Sequence, residues 1–340
     1  MKLNLSDSLL YISKLNFRKG INAIKVLLSY YISKLLKRPI LWGQPISISI
    51  EPTTSCNLRC PECPSGLRNF TRPTGMLSLD FYKKIIEEID KDTLSITFYF
   101  QGEPFLNPDF LSMIRIAAAK KMHVSTSTNA HFINDDSARQ IVESGLDRLI
   151  ISIDGTAQET YEQYRVGGNL KKVIDATEHL IHWKNKLQSK TPHLIFQFLV
   201  VKPNEHQIQD IETLGKRLKV DEIRFKTAQI YNYEQGNPLI PSIDKYSRYK
   251  RKKDGSYVLK NKLPNQCWKM WHSTVITWDG KILPCCFDKD AKHQLGNLQS
   301  SPFKTIWESN EYNQFRASIL KSRSQIDICQ NCSEGTKVWA

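Results

Sequence analysis

No stretch of the chain approaches the roughly 18 to 20 uninterrupted apolar residues of a membrane-spanning helix. There is no internal repeat and no low-complexity tract, which sets aside repeat arrays and biased linkers. A secretory signal is also missing: charged and polar residues break the N-terminal apolar run every few positions, and no small-residue cleavage site follows. The cysteines are therefore expected to be reduced thiols in the cytoplasm, and a disulfide framework is excluded. Acidic residues are scarce at the start, where Asp7 stands alone among residues 1–50. Cysteine is absent between Cys63 and Cys267.

What is present is a chain of 340 residues with 40% hydrophobic and 24% charged residues, enough to bury a core. The length fits one large α/β domain with an appendage. The formal charge is +14, and two segments hold nearly all of it. Residues 1–50 carry eight basic side chains against Asp7 (8 − 1 = +7), and residues 241–266 carry eight against Asp244 and Asp254 (8 − 2 = +6). The rest is close to neutral. A basic excess can meet nucleic acid, an anionic membrane surface or an acidic partner.

Residues 5–37 read as one helix, with apolar positions at three- and four-residue steps between lysines, ended by Arg38-Pro39. It either packs on the domain or lies on a membrane or partner. From Ile46 strands alternate with helices: 46–51, 94–101, 123–128, 148–153, 193–201 and 222–226 are β-rich. Helical patterns fill 79–90, 108–121, 134–144, 169–187 and 207–219 between them. Six strands with intervening helices imply a parallel sheet with right-handed crossovers. An open doubly wound sheet and a partial barrel both fit, and either gathers chemistry at the strand C-termini. Residues 241–266 form a connector without strong periodicity. A hairpin about Asp279-Gly280 and a helix near 302–320 follow.

Cys56-x3-Cys60-x2-Cys63 lies just after the first strand. Three thiolates can hold three corners of a four-iron cube and leave one iron open. Zinc with a distant fourth ligand is the other reading of the spacing. Cys267, Cys285, Cys329 and Cys332 could complete one tetrahedral metal or one four-iron cluster.

In its setting, the first motif resembles that of the radical S-adenosylmethionine (radical SAM) superfamily over roughly residues 45–230. The resemblance implies a partial (β/α)6 barrel and a 4Fe-4S cluster whose open iron is chelated by S-adenosylmethionine. Electron transfer then yields a 5′-deoxyadenosyl radical that abstracts hydrogen from a substrate, with an electron supplied by a reductant such as flavodoxin or ferredoxin. Gln101-Gly102-Glu103-Pro104 is similar to the Gly-Gly-Glu-Pro motif that binds the methionyl ammonium, with glutamine in the first place. Ser127-Thr128-Asn129 stands where Thr-Asn-Gly is frequent. Ser152-Ile153-Asp154-Gly155 resembles the Ser-x-Asp-Gly segment near the ribose and carboxylate, and Arg165 is expected to pair the carboxylate. Glu62 replaces a frequent aromatic residue near adenine, and Val200 and Val201 are candidates for an apolar wall.

The C-terminal cysteines, with Thr277-Trp278-Asp279-Gly280 and Leu295-Gly296-Asn297-Leu298, resemble a SPASM/Twitch extension. That implies a second 4Fe-4S cluster on Cys267, Cys285, Cys329 and Cys332, with Cys286 a buried spare and Trp268, Trp271 and Trp278 core residues. Expected segments are an N-terminal helical region (1–44), a radical SAM core (45–235) and an auxiliary domain (236–340). The leading functional expectation is a small-molecule, carbohydrate or lipid-linked substrate, because residues 1–44 are too short for a peptide-binding winged helix. The alternative is a peptide- or protein-modifying maturase. A zinc-stabilised nucleic-acid binder, with Tyr246, Tyr249 and Tyr257 among its basic residues, is the rival of another class. No general base is identified. A membrane surface or acidic partner is expected at residues 1–38 or 245–262.

Overall fold

The computed structural model describes residues 5–338; residues 1–4 of the expected N-terminal region lie outside the described residues. Helices α1 (Leu5–Ser13) and α2 (Phe17–Leu36) precede β1 (Ser47–Ile50), and the helical turn α3 (Pro64–Leu67) follows the cysteine loop. Then come α4 (Leu79–Ile89), β2 (Ser95–Phe98), α5 (Phe110–Ala119), β3 (His123–Thr128), α6 (Asp135–Glu143) and β4 (Arg148–Ser152). Next are α7 (Gln158–Tyr164), α8 (Leu170–Lys186), β5 (His193–Val200), α9 (Ile208–Leu218) and β6 (Glu222–Thr227). The C-terminal part holds β7 (Tyr249–Arg251), β8 (Tyr257–Leu259), α10 (Lys269–His272), β9 (Ser273–Ile276), β10 (Lys281–Leu283) and β11 (Gly296–Asn297). It closes on α11 (Phe303–Trp307), α12 (Asn310–Ser322) and α13 (Asp327–Gln330).

The expected α/β class is what the chain adopts, and local chemistry sets its punctuation. The Asn134 side chain accepts from the Ser137 N–H at 2.9 Å while the Ser137 hydroxyl accepts from the Asn134 N–H at 2.8 Å, a reciprocal cap that starts α6. In α4, Tyr82, Ile85, Ile86 and Ile89 are buried at helical spacing.

Two compact bodies make up the chain. The first comprises Met1–Ser55, Phe70–Ser125 and Leu263–Ala340; the second comprises Cys56–Asn69 and Thr126–Lys262. In the first, β1 is parallel to β2 on one side and to β9 on the other, and β9–β10–β11 continue antiparallel. Ile48, Ile50, Ile96 and Phe98 are fully buried, each contributing about 1.5–3 kcal/mol. Arg316, also buried, lies between the rings of Trp307 and Tyr312, 4.2 and 4.0 Å from their centroids. In the second body β4, β5 and β6 run parallel, with Ile150 opposite Ile195 and Phe198 opposite Phe225.

Two local expectations are corrected and a third is extended. The helix over 5–37 is two helices: the chain breaks at residues 14–16, and the Asn16 side chain restarts it by accepting from the Lys19 N–H at 2.9 Å. The connector contains the β7–β8 hairpin, whose strands are too short to show alternation in sequence. The hairpin about Asp279-Gly280 is present and also adds β9 beside β1. Among the described residues no helix is long and apolar enough to cross a membrane.

Candidate functional site

The second body brings the three-cysteine loop together with the ends of β3, β4 and β5. Asp154, two residues past β4, is fully buried. One of its carboxylate oxygens accepts from the Leu199 N–H at 2.6 Å and the other from Arg165 Nε at 2.5 Å. The same guanidinium places Nη1 3.8 Å from Cys60 Sγ. Asn204 ties the two strand ends by donating to the carbonyls of Asp154 and Leu199, both at 2.9 Å. Burial pushes the Asp154 carboxyl up, and Arg165 and the Leu199 N–H pull it back. The Cys60 thiol is likewise raised by burial and lowered by Arg165. A positive charge beside a sulfur favours the thiolate that an iron site requires.

Asn129, just past β3, donates from Nδ2 to Asn57 Oδ1 at 2.8 Å and lies 3.8 Å from Cys56 Sγ. His131 fixes that orientation: its Nε2 accepts from the Asn169 N–H at 2.7 Å, and Nδ1 lies 2.8 Å from the Asn129 carbonyl. Accepting at Nε2 requires a neutral ring with its proton on Nδ1, and burial lowers the His131 pKa in the same sense. Ser152 ends β4, buried and paired with Gln197. A Cβ on Gly155 would meet the Tyr161 backbone nitrogen at 2.5 Å, so glycine lets α7 pack close. Val201 joins Leu58, Cys60 and Tyr164 in one apolar cluster, with Cys56 and Cys63 packed against it. Glu62 accepts from the Tyr231 N–H at 2.9 Å, a structural tie rather than an aromatic face.

In the first body, Gln101-Gly102-Glu103 follows β2. Gly102 has φ +77°, and a Cβ there would lie 2.2 Å from the Thr53 carbonyl oxygen and 2.8 Å from that of Ser55. The Glu103 N–H donates to the Ser55 carbonyl at 2.8 Å. This motif therefore grips the residues that lead directly into Cys56. Gln101 stands where the motif ordinarily has its first glycine, a position that here requires none. Its side chain turns back to the Phe100 carbonyl at 2.7 Å.

The C-terminal cysteines are collected in the first body. Cys267, Cys329 and Cys332 are buried and Cys285 is half-buried. Burial pushes the Cys329 thiol up to about 11, with Cys267 and Cys332 adding to the shift and Arg323 opposing it. Cys285 is raised by burial and by Cys286, Cys267 and Cys332. Arg323 donates to Cys332 Sγ at 3.3 Å, to the Glu334 carbonyl at 2.6 Å and to the Gln266 carbonyl at 2.9 Å. Gly335 has φ +75°, and a Cβ there would lie 2.5 Å from Cys267 Sγ. Cys286 packs against Phe100, Val275 and Leu283, with Lys269 Nζ 3.8 Å from its sulfur. Trp268 and Trp271 are core residues, and the Trp278 ring packs against Gly75.

These donors fit iron–sulfur groups. Each set is all-thiol with an arginine beside it. Among the described residues no three cysteine sulfurs lie within 4.8 Å of one another. A tetrahedral zinc, bound at about 2.3 Å, draws its sulfurs to roughly 3.8 Å apart. Sequence reasoning missed His131, Asn204 and Arg323, because each acts on a ligand or a strand end rather than carrying a motif of its own.

Two family models match the chain: the radical SAM superfamily over residues 50–186, and SPASM, an iron–sulfur cluster-binding domain, over residues 267–333. The chain belongs to the radical SAM superfamily. It is an enzyme of that superfamily with a SPASM domain, binding S-adenosylmethionine, a 4Fe-4S cluster and auxiliary iron–sulfur. It is 25% identical to the tungsten-containing aldehyde ferredoxin oxidoreductase cofactor-modifying protein of Pyrococcus furiosus, over 84% of this chain and 86% of the relative. It is 23% identical to the PqqA peptide cyclase of Rhodopseudomonas palustris, over 82% of this chain and 77% of the relative. Among solved structures, Streptococcus suis SuiB bound to S-adenosylmethionine shares the fold, with a TM-score of 0.63, 14% identity and coverage of 88% of this chain and 75% of that one.

Proposed function

We propose that this radical SAM enzyme is a peptide- or protein-modifying maturase. The observation that carries the reading is the match to a protein named PqqA peptide cyclase, which extends over 82% of this chain rather than over the cofactor motifs alone. The expectation of a small-molecule substrate rested on the shortness of residues 1–44. It keeps support in the matches to proteins named for modifying a cofactor and for heme synthesis.

In this reading Cys56, Cys60 and Cys63 ligate the catalytic cluster, and Cys267, Cys285, Cys329 and Cys332 ligate an auxiliary one. Cys285 is preferred to Cys286 because Cys267 and Cys332 act on it, whereas Cys286 packs against apolar side chains. When bound, the catalytic cluster and S-adenosylmethionine supply a 5′-deoxyadenosyl radical able to abstract hydrogen. Arg165 pairs the cofactor carboxylate and, through Asp154, stays fixed in direction. Asn129 and Ser152 offer polar contacts to the cofactor, and Gln101, Gly102 and Glu103 capture its ammonium. The electron comes from an acidic one-electron carrier, a flavodoxin or ferredoxin, drawn to the basic β7–β8 hairpin. The eight free thiols suit a reducing cytoplasm.

The test is anaerobic turnover with a deuterium-labelled cell extract split by ultrafiltration into peptide and small-molecule fractions. Deuterium arriving in 5′-deoxyadenosine from the peptide fraction is expected. Transfer only from the small-molecule fraction reassigns the substrate. No 5′-deoxyadenosine from the fully loaded enzyme in either arm rejects the cofactor assignment itself.

A further inference from the structure

Helix α2 buries a largely polar face in the fold and leaves its apolar face outside. On α2 the inner face consists of Lys19, Asn22, Val26, Ser29, Tyr30 and Ser33, all buried. Tyr30 packs edge-on against Trp268 and Trp271, at 5.2 and 5.5 Å between ring centroids. The Asn22 amide donates to the carbonyls of Gln44 and Asp92, and Lys19 Nζ donates to that of Lys121 at 3.1 Å. This face anchors the helix to the first body.

The outer face of α2 presents Phe17, Ile21, Ile24, Leu28, Tyr31 and Leu35. All are exposed, Phe17 by 86% and Leu35 by 80%. Their alternating steps of four and three residues stack them in one stripe. Leu9 and Ile12 on α1, Leu15 in the break between the helices and Trp42 after α2 are exposed apolar residues as well. A stripe of this length has no role in the fold, and exposed apolar surface on this scale marks an interaction site.

Charge selects its occupant. At about 100° per residue, Lys25 and Lys34 fall on opposite flanks of the stripe, and both are exposed. Lys14, Lys37 and Arg38 continue the basic character, Arg18 being paired with Asp92, and the only carboxylate in residues 1–50, Asp7, is buried. A second copy of this helix would set lysine flanks against lysine flanks with no acidic partner, which disfavours self-pairing. An apolar stripe bordered by lysines, with aromatic residues on the same surface, matches the boundary between headgroups and acyl chains of an anionic bilayer.

We propose that α1 and α2 hold the enzyme on an anionic phospholipid surface, lying flat with the 17–35 stripe inserted. The lysines add electrostatic attraction worth about fivefold in partitioning each. The proposal is independent of the substrate reading.

The test is flotation of the full-length holoenzyme with vesicles of phosphatidylcholine alone or mixed with phosphatidylglycerol at seven to three. Binding to the mixed vesicles, and at least tenfold less to the neutral ones, is expected. The outward variant Ile24→Asp/Leu28→Asp/Leu35→Asp should abolish it without a change in thermal midpoint, and Lys25→Glu/Lys34→Glu should weaken it by tenfold or more. Binding unchanged in the triple variant overturns the proposal. So does absence of vesicle binding accompanied by a dimer, seen by sedimentation velocity, that the same variant dissolves; that result assigns the stripe to a second copy. Absence of both also rejects it.

Discussion

Arg165 and Asp154 form a buried pair, Nε to Oδ2 at 2.5 Å, whose free guanidinium end reaches toward the Cys60 sulfur. Asp154 has no solvent to fall back on, so the pair is sensitive to loss of either member. Arg165→Ala is expected to cost about 3 kcal/mol of stability and to slow 5′-deoxyadenosine formation by about 10²-fold. Arg165→Lys keeps charge but loses the fork and should recover only part of both. Thermal melts and dithionite-driven cleavage assays read the two effects separately.

Gly102 and Gln101 should respond oppositely to alanine. At Gly102 a methyl group collides with the Thr53 carbonyl in a left-handed backbone conformation. Gly102→Ala should lower stability by about 1–3 kcal/mol and weaken S-adenosylmethionine binding in calorimetry. Gln101→Ala should stay within about 1 kcal/mol of the parent.

The C-terminal thiols are tied to one side chain, Arg323, which donates to Cys332 Sγ. Cys267→Ala or Arg323→Leu should lower iron by about four per chain while leaving cleavage of S-adenosylmethionine without substrate largely intact. Equal loss of both signals would show that the two thiol sets do not bind separate groups. Iron analysis with absorbance spectra checks this.

His272 imposes a pH dependence on folding. Half-buried, it stacks on Trp268 with ring centroids 4.8 Å apart, and desolvation lowers its pKa from 6.5 to about 3. Below pH 6.5 the unfolded chain takes up a proton that the folded chain refuses, so stability falls with pH, by up to about 1.4 kcal/mol per unit. The contribution is fully present above pH 6.5. His272→Phe should flatten the thermal midpoint between pH 6.5 and 5, measured by calorimetry.

The β7–β8 hairpin shares an apolar cluster with the cysteine loop: Tyr249, Tyr257 and Leu259 belong to the cluster of Leu58 and Cys60. Its tip exposes Lys250, Arg251, Lys252 and Lys253. Reversing these four charges should cut the flavodoxin-driven rate at low salt by about tenfold or more and leave the dithionite-driven rate unchanged. A parallel fall in both rates would assign the hairpin a purely structural role. Tyr249 is buried, with its hydroxyl on Ile230, and Tyr246 and Tyr257 are half-buried, so these rings are not the exposed stacking surface a nucleic-acid reader needs.

Long periodic elements were legible in the sequence because burial on one face writes itself into spacing: α4 and α9 appear where their patterns begin and end, to within a residue. The break before α2 depends on one asparagine cap, and α7 is a seven-residue helix whose packing needs Gly155; neither leaves a periodic trace. The cysteine loops were legible through thiol spacing. The contacts of Arg165 with Asp154 and Cys60, and of Arg323 with Cys332, were not, since they join residues that only folding brings together. Likewise nothing in residues 273–276 specifies pairing with β1.

That pairing bears on how the enzyme can be shortened. Ser47–Ile50 is covered on both sides, and Ile46 and Glu51 donate to the carbonyls of His272 and Ile276. Trimming the chain at the end of the family-typical core, before residue 263, strips one side of β1. The strand that carries the buried Ile48 and Ile50 would then become a raw edge inviting edge-to-edge aggregation. The C-terminal region is thus a structural shutter for the strand that delivers the first cysteine, and catalytic cores made by truncation should be recovered as insoluble material.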